Sequence, residues 1–347
     1  MKNSFKVSYV TTLPKEGNAP RVTITGKGDE EFRVNFHERT DEGLSLVSSG
    51  ICRTNQTIYA KAKQWYTPWV ISIIDKHDYE VHAERFYPAD RVVFIKIDAY
   101  ALGDTIAWMP YVDVFRKKHN CRVICSTFHN DILVNAYPNI MFAKPNTQIE
   151  NIYAQFYIGA SNDENPYYSP IKANEHPLQD VAARVLGLKP MEIRPDLGSQ
   201  ISHIPSRIEG EYVTISEFGS TENKHWKGDW QKVVNYFIER GIEVVVISKE
   251  KTSLTGVTDK SGDYPLIDRM IDLQHAKMHL GVSSGLSWLA WSVGTHVVMI
   301  SDVTPSWHEF NTDITRLNAN KLYAVNYLAE AQTTIDEVLK KLEELVV

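Results

Sequence analysis

Apolar and polar positions alternate with a period of two through Val22-Thr23-Ile24-Thr25, Phe32-Arg33-Val34-Asn35-Phe36 and Trp69-Val70-Ile71-Ser72-Ile73-Ile74, with Gly and Asp turn signals between them. Successive side chains of a strand point to opposite faces, so this alternation predicts half-buried strands and an all-β unit over 1–88. The pattern changes at Arg91. An apolar run over 92–97 leads to Gly103-Asp104, then to a stretch over 105–118 whose apolar positions recur at helical spacing, then to a short strand over 122–125. Buried strands that alternate with helices predict a parallel sheet, whose loops at the strand C-termini face a ligand crevice. This unit is expected over 89–205. Its second half, from 160 onward, carries Asn165-Pro166, Ser169-Pro170, His176-Pro177 and Ile204-Pro205 around a helix at 178–186, and is expected to serve as a linker.

Beyond the linker the alternation restarts and defines a second α/β unit over 206–347. Strands are predicted at 212–216, 242–247, 279–282 and 296–300, with helices at 230–240, 265–276 and 286–293. Gly241 and Gly294 stand where two of these helices should stop. Thr334-Ile335-Asp336-Glu337 is a capping box before Val338, Leu339, Leu342 and Leu345, the apolar stripe of a last amphipathic helix expected to pack across the body. Trp226 and Trp230 read as core, because Trp230 opens a helix that continues with Val233, Val234 and Phe237.

Composition narrows the class without changing this picture. In a chain of 347 residues, 37 Lys+Arg oppose 43 Asp+Glu for a net charge of −6, and hydrophobic residues make up 43%. That balance disfavours a disordered chain and a broadly basic nucleic-acid binder. The apolar runs are far below the roughly 20 residues of a membrane span, and the N-terminus opens no signal-peptide core, so a cytoplasmic protein without a membrane span is expected. The three cysteines, Cys52, Cys121 and Cys125, form no CxxC pair and read as buried thiols.

Four segments are positioned to carry chemistry. Asp104 follows the first buried strand and opens a helix, where a carboxylate serves either as a helix cap or as a general base. Val282-Ser283-Ser284-Gly285-Leu286-Ser287 ends one strand and starts a helix: either a tight turn with serine caps, or a cradle of free N–H groups for phosphate. Gly219-Ser220-Thr221-Glu222-Asn223-Lys224 follows the first strand of the second unit and brings hydroxyls and one cation to the same sheet edge. Ser248-Lys249-Glu250, after the next strand, falls near the place of a ribose or base. No GxxxxGK[ST], no Rossmann glycine fingerprint in a strand-to-helix setting, no DxD pair and no HExxH occurs. NTPase, nicotinamide oxidoreductase, metal-dependent transferase and zinc hydrolase therefore lack support.

Taken together, Ala101-Leu102-Gly103-Asp104-Thr105-Ile106-Ala107-Trp108, Lys224-His225-Trp226, His308-Glu309-Phe310 and the segment from Leu280 to Trp291 resemble the bacterial autotransporter heptosyltransferases. These are GT-B glycosyltransferases related to glycosyltransferase family 9. The resemblance spans roughly 60–312. It implies an α/β GT-B fold: two Rossmann-like domains facing a crevice, preceded by a small all-β N-terminal accessory domain. The acceptor side would lie in the first Rossmann-like domain and the nucleotide-sugar donor in the second. It further implies that Asp104 is the general base and that Lys224 contacts the donor diphosphate. The turn of Ser283, Ser284, Gly285 and Leu286 would bind phosphate and ribose, with Ser220, Thr221, Ser248 and Lys249 also on the donor. The implied reaction moves a sugar from a nucleotide-diphosphate sugar to an acceptor hydroxyl with inversion, and with no metal or other cofactor. Family members carry a cysteine-ligated iron finger near the C-terminus that supports a ring assembly. No cysteine follows Cys125 here, so a monomer or small oligomer without iron is expected.

Three functions stay open on the sequence. One is a transferase acting on Ser/Thr hydroxyls of a protein, or on a glycan. The second is a transferase acting on hydroxymethylated bases of DNA, for which Arg116-Lys117-Lys118-His119 offers a cationic patch. The third is a non-catalytic sugar-binding protein of the same fold.

Overall fold

The computed structural model describes residues 3–10, 17–61, 65–159, 171, 175–301, 304, 308–317 and 333–345. Its first part is antiparallel. Strands β1 (Ser4–Ser8), β2 (Arg21–Thr25) and β5 (Gln56–Tyr59) form one sheet in the order β1-β2-β5. Strands β3 (Glu31–Thr40), β4 (Gly43–Arg53), β6 (Trp69–Ile74) and β7 (Glu80–Arg85) form another in the order β4-β3-β6-β7. The period-two pattern selects the buried faces as predicted: Phe32, Val34 and Phe36 of β3 and Trp69, Ile71 and Ile73 of β6 all point inward. This β unit is joined firmly to the first α/β unit. Tyr9 makes a lone parallel bridge to Ala154 and packs edge-on against Phe86, while the Tyr66 ring lies against Phe86, Phe115 and Phe156. One continuous apolar core therefore runs from one unit into the other.

The first parallel sheet has the order β10-β9-β8-β11, from β8 (Val92–Ile97), β9 (Arg122–Thr127), β10 (Ile140–Ala143) and β11 (Ala154–Tyr157). Helix α1 (Leu102–His119) joins β8 to β9, and the short α2 (Asn130–Leu133) comes after β9. Because α1 is buried almost all round, from Ile106 through Val112, it is a core element of the molecule. The Pro110 ring sits inside it, and Asn120 in the left-handed conformation (φ 46°) ends it. Helix α3 (Leu178–Val185) lies against α1, with the Trp108 indole donating to the Leu178 carbonyl at 2.8 Å.

The second parallel sheet has six strands in the order β14-β13-β12-β15-β16-β17: β12 (Tyr212–Ser216), β13 (Glu243–Val246), β14 (Thr258–Asp259), β15 (His279–Val282), β16 (Val297–Ile300) and β17 (Ile314–Leu317). Helices α4 (Trp230–Ile238), α5 (Leu266–Gln274) and α6 (Gly285–Val293) connect them. The chain winds outward in one direction from β12 and in the other from β15, so the loops after these two neighbouring strands part and leave a crevice. The first sheet has the same reversal between β8 and β11.

Helix α7 (Ile335–Leu345) closes the described chain. Thr334 and Glu337 exchange capping-box bonds, and Val338 and Leu342 are fully buried in the core that holds Trp230, Val233 and Phe237. The Trp226 indole donates to the Thr333 carbonyl at 2.7 Å and meets Trp230 edge to face, so both tryptophans are structural. Cys52, Cys121 and Cys125 are free thiols, all buried. Among the described residues no helix is long and apolar enough to cross a membrane.

Candidate active site

Loops from both parallel sheets line one cavity of about 530 Å³, within the size range of small-ligand sites. The wall from the first α/β unit is built by the segment after β8, which supplies Tyr100, Gly103 and Asp104, and by His129 after β9. The facing wall is built by Gly219, Ser220 and Lys224 after β12, Lys249 and Glu250 after β13, and Ser283 to Leu286 after β15. Each group sits at the C-terminal end of a parallel strand.

Asp104 is the third residue of α1, which starts at Leu102, three residues earlier than the apolar spacing predicts. The helix N-cap is Ala101, with no side-chain capping bond, so a capping role is not what Asp104 serves. Burial pushes its carboxyl up to about 6, and the positive charge of Lys224 from the facing wall acts in the opposite direction. A carboxyl poised near neutrality at the end of a helix, inside a cleft, suits proton acceptance from a neutral hydroxyl.

Next to the start of α1, α6 begins at Gly285, with Ser284 as its extended N-cap. The Ser284 hydroxyl is buried and has no hydrogen-bond partner among the described residues. Free N–H groups, the positive end of the helix and Lys224 in the short 3₁₀ turn Glu222–Lys224 together favour an anion here. Behind this turn, His279 is held between the hydroxyls of Thr214 (3.0 Å) and Ser216 (3.1 Å), and burial pushes its imidazole down to about 3, so the strand beneath the turn carries no charge.

Of the residues singled out from the sequence, Asp104, Ser220, Lys224, Lys249, Ser283, Ser284, Gly285 and Leu286 line this one cavity. Thr221 and Ser248 do not. The Thr221 hydroxyl turns to the Asn223 side chain within its own loop, and the buried Ser248 hydroxyl accepts from the Glu217 N–H at 2.8 Å, tying the loop after β13 to the one after β12. No local pattern assigned a role to Glu309 or Arg269. Arg269 is 5% exposed and donates to the carbonyls of Ser248 and Gly262, tying together two donor-side loops. Tyr100 and Phe128 stack with ring centroids 3.9 Å apart at the mouth beside Asp104. Position signalled only Tyr100 and Phe128, which follow the C-termini of β8 and β9; Arg269, inside α5, and Glu309 carried no such signal.

The basic run from Arg116 to His119 occupies the last turn of α1. An 18-residue helix is about 27 Å long, so this run lies at the far end from Asp104. Arg116 and Lys117 are moreover paired with Asp113 at 2.8 and 2.7 Å.

These two facing Rossmann-like units, each opening its strand ends onto a shared cleft, define a GT-B glycosyltransferase. The chain is 30% identical to the autotransporter heptosyltransferase Aah of Escherichia coli over 297 residues, covering 81% of this chain and 74% of Aah. It is 28% identical to the inactive autotransporter heptosyltransferase BimC of Burkholderia thailandensis, covering 76% of this chain and 65% of BimC. Among solved structures, the iron-containing dodecameric glycosyltransferase TibC of enterotoxigenic E. coli superposes with a TM-score of 0.76 at 22% identity, over 92% of this chain and 82% of TibC. No family model matches the chain. The protein belongs to the autotransporter heptosyltransferase family and is a nucleotide-sugar-dependent glycosyltransferase. Among the described residues no three His, Cys, Asp or Glu side chains converge as metal ligands, and the three thiols are buried, so these residues do not fit the iron named for TibC.

Proposed function

We propose that the protein transfers a heptose-like sugar from an adenosine-diphosphate sugar to a Ser or Thr hydroxyl of an autotransporter-type polypeptide, with inversion and without a metal. The observation that carries this reading is that Asp104, the α6 N-terminus and Lys224 line one cavity, with Lys224 close enough to act on the Asp104 carboxyl. The names of the relatives supply the sugar and the acceptor class.

In this mechanism the diphosphate lies on the N–H groups of Ser284, Gly285 and Leu286 and against Lys224, with the ribose toward Lys249 and Glu250. The acceptor hydroxyl enters from the Tyr100 side and gives its proton to Asp104 as its oxygen attacks the anomeric carbon. The bond to the diphosphate breaks on the opposite face, and Lys224 and the helix N-terminus stabilise the departing charge. A single displacement inverts the anomeric centre. Residues 1–88 act as an accessory domain, 89–205 as the acceptor side and 206–347 as the donor side, in a monomer or small oligomer.

The DNA reading needs cations at the cleft, and the basic run lies at the other end of α1 with two of its members already paired. The non-catalytic reading has a precedent in BimC by its name. The test is release of nucleoside diphosphate from ADP-, UDP- and GDP-sugars, each offered with peptide, glycan or hydroxymethylated DNA. Release with an ADP-sugar that depends on peptide supports the proposal. Release that depends on DNA, or binding without turnover, overturns it.

A further inference from the structure

Glu309 is a buried carboxylate in the cavity wall, beside the turn of that wall that favours an anion. Its side chain is 1% exposed, yet it lines the cavity next to the Ser283-Ser284-Gly285 turn. One oxygen accepts the Ser283 hydroxyl at 2.5 Å, and the other pairs with Arg316 at 3.2 Å. Arg316 is fixed in turn by donating to the Phe310 carbonyl, and the Phe310 ring stacks on Trp291 of α6 with centroids 4.4 Å apart. The carboxylate is thus clamped in place from both sides.

A carboxylate is acceptor-only and has about four lone-pair positions, of which these two contacts take two. A diphosphate is also acceptor-only and negatively charged, so it is repelled here. It is drawn instead to the N–H groups of α6 and to Lys224. What Glu309 complements is a neutral group rich in O–H donors. At the serine turn two chemistries therefore adjoin: the N–H groups of α6 with Lys224 offer donors, and Glu309 on Ser283 offers acceptors.

We infer that Glu309 is a sugar-recognition residue, its carboxylate accepting hydrogen bonds from hydroxyl groups of the donor's glycosyl unit while Arg316 and Ser283 hold it in position. This rests on the proposed use of a nucleotide-sugar donor, and it adds which residue distinguishes the sugar from the nucleotide.

The experiment compares binding of ADP, ADP-heptose and monodeoxy analogues of ADP-heptose by calorimetry, for the unaltered protein and for Glu309→Gln. ADP affinity should change by less than about twofold, while ADP-heptose affinity falls by about tenfold or more, because only the sugar loses a charged acceptor. At least one monodeoxy analogue should bind the unaltered protein about tenfold more weakly than ADP-heptose, and that penalty should vanish in Glu309→Gln, a coupling a purely structural residue would not produce. If Glu309→Gln fails to fold with Arg316 unpaired, Glu309→Asp keeps the charge and retracts it by one methylene. Loss of sugar affinity with ADP affinity kept then supports the assignment. Equal weakening of ADP and ADP-heptose, or unchanged deoxy penalties in a folded variant, overturns the assignment and leaves the donor reading standing. Failure of the unaltered protein to bind any nucleotide sugar overturns both.

Discussion

Gly103 of α1 and Gly285 of α6 abut where the two α/β units meet: a methyl group on Gly285 would lie 3.0 Å from the Gly103 nitrogen and 2.7 Å from the Leu102 Cβ. The absence of two side chains lets two helix N-termini converge on one cavity, so the base and the diphosphate site lie within a sugar's reach of each other. Gly285→Ala should force them apart. Overpacking against backbone costs about 1–3 kcal/mol, and a displacement near 1 Å at a reacting centre costs about a hundredfold in rate. Thermal melting and turnover measured together check this, and an unchanged rate would show that the close approach has no catalytic use.

Asp104→Asn keeps the shape and removes the base, so turnover should fall by about a hundredfold or more while donor affinity holds. Near-normal turnover would remove Asp104 from the reaction.

The raised carboxyl of Asp104 sets two pH dependences of opposite sense. The basic form accumulates as pH rises through about 6, so kcat/KM should climb there and level off above. Stability runs the other way. The folded-state value lies above the unfolded one, so the contribution of this group is fully present below the unfolded carboxylate range and is lost as pH rises through about 6. Asp104→Asn should therefore melt higher than the parent at pH 8 and equal to it near pH 4. A rate profile flat from pH 5 to 8 would contradict this assignment.

Lys224→Ala removes the cation that faces both Asp104 and the diphosphate. Nucleotide-sugar binding should weaken by about tenfold, and turnover should drop further, because a leaving diphosphate gains most from the lysine as its charge develops. EDTA should leave the rate unchanged, and a strict magnesium requirement would contradict this picture.

The alternation in β3 and β6 was legible because burial on one face imposes a period, whereas β12, β13, β15 and β16 were legible as short, largely apolar runs between helical stretches, because both faces of a parallel sheet are covered. β10, β11, β14 and β17 were not, since they are only partly buried. The start of α1 was missed at Leu102 because Gly103 and an uncapped Ala101 carry none of the usual start signals. Asp104, Lys224 and the serine turn could be found because each adjoins a strand end in sequence. Glu309 could not, since its meaning depends on a bond to Ser283, 26 positions away, and on Arg316 behind it. Ser248 looked available for the same reason: nothing local reveals that the Glu217 N–H has claimed it.

The three buried thiols have a practical corollary. Burial holds Cys52 and Cys125 above the usual thiol range and pushes Cys121 up to about 11, so none presents a reactive thiolate at neutral pH. A cysteine introduced at an exposed position on either lip of the cleft, such as Tyr100 or Tyr264, would be the sole site for maleimide chemistry. A fluorophore pair on the two lips would then report the distance between them during turnover, with every native cysteine left in place.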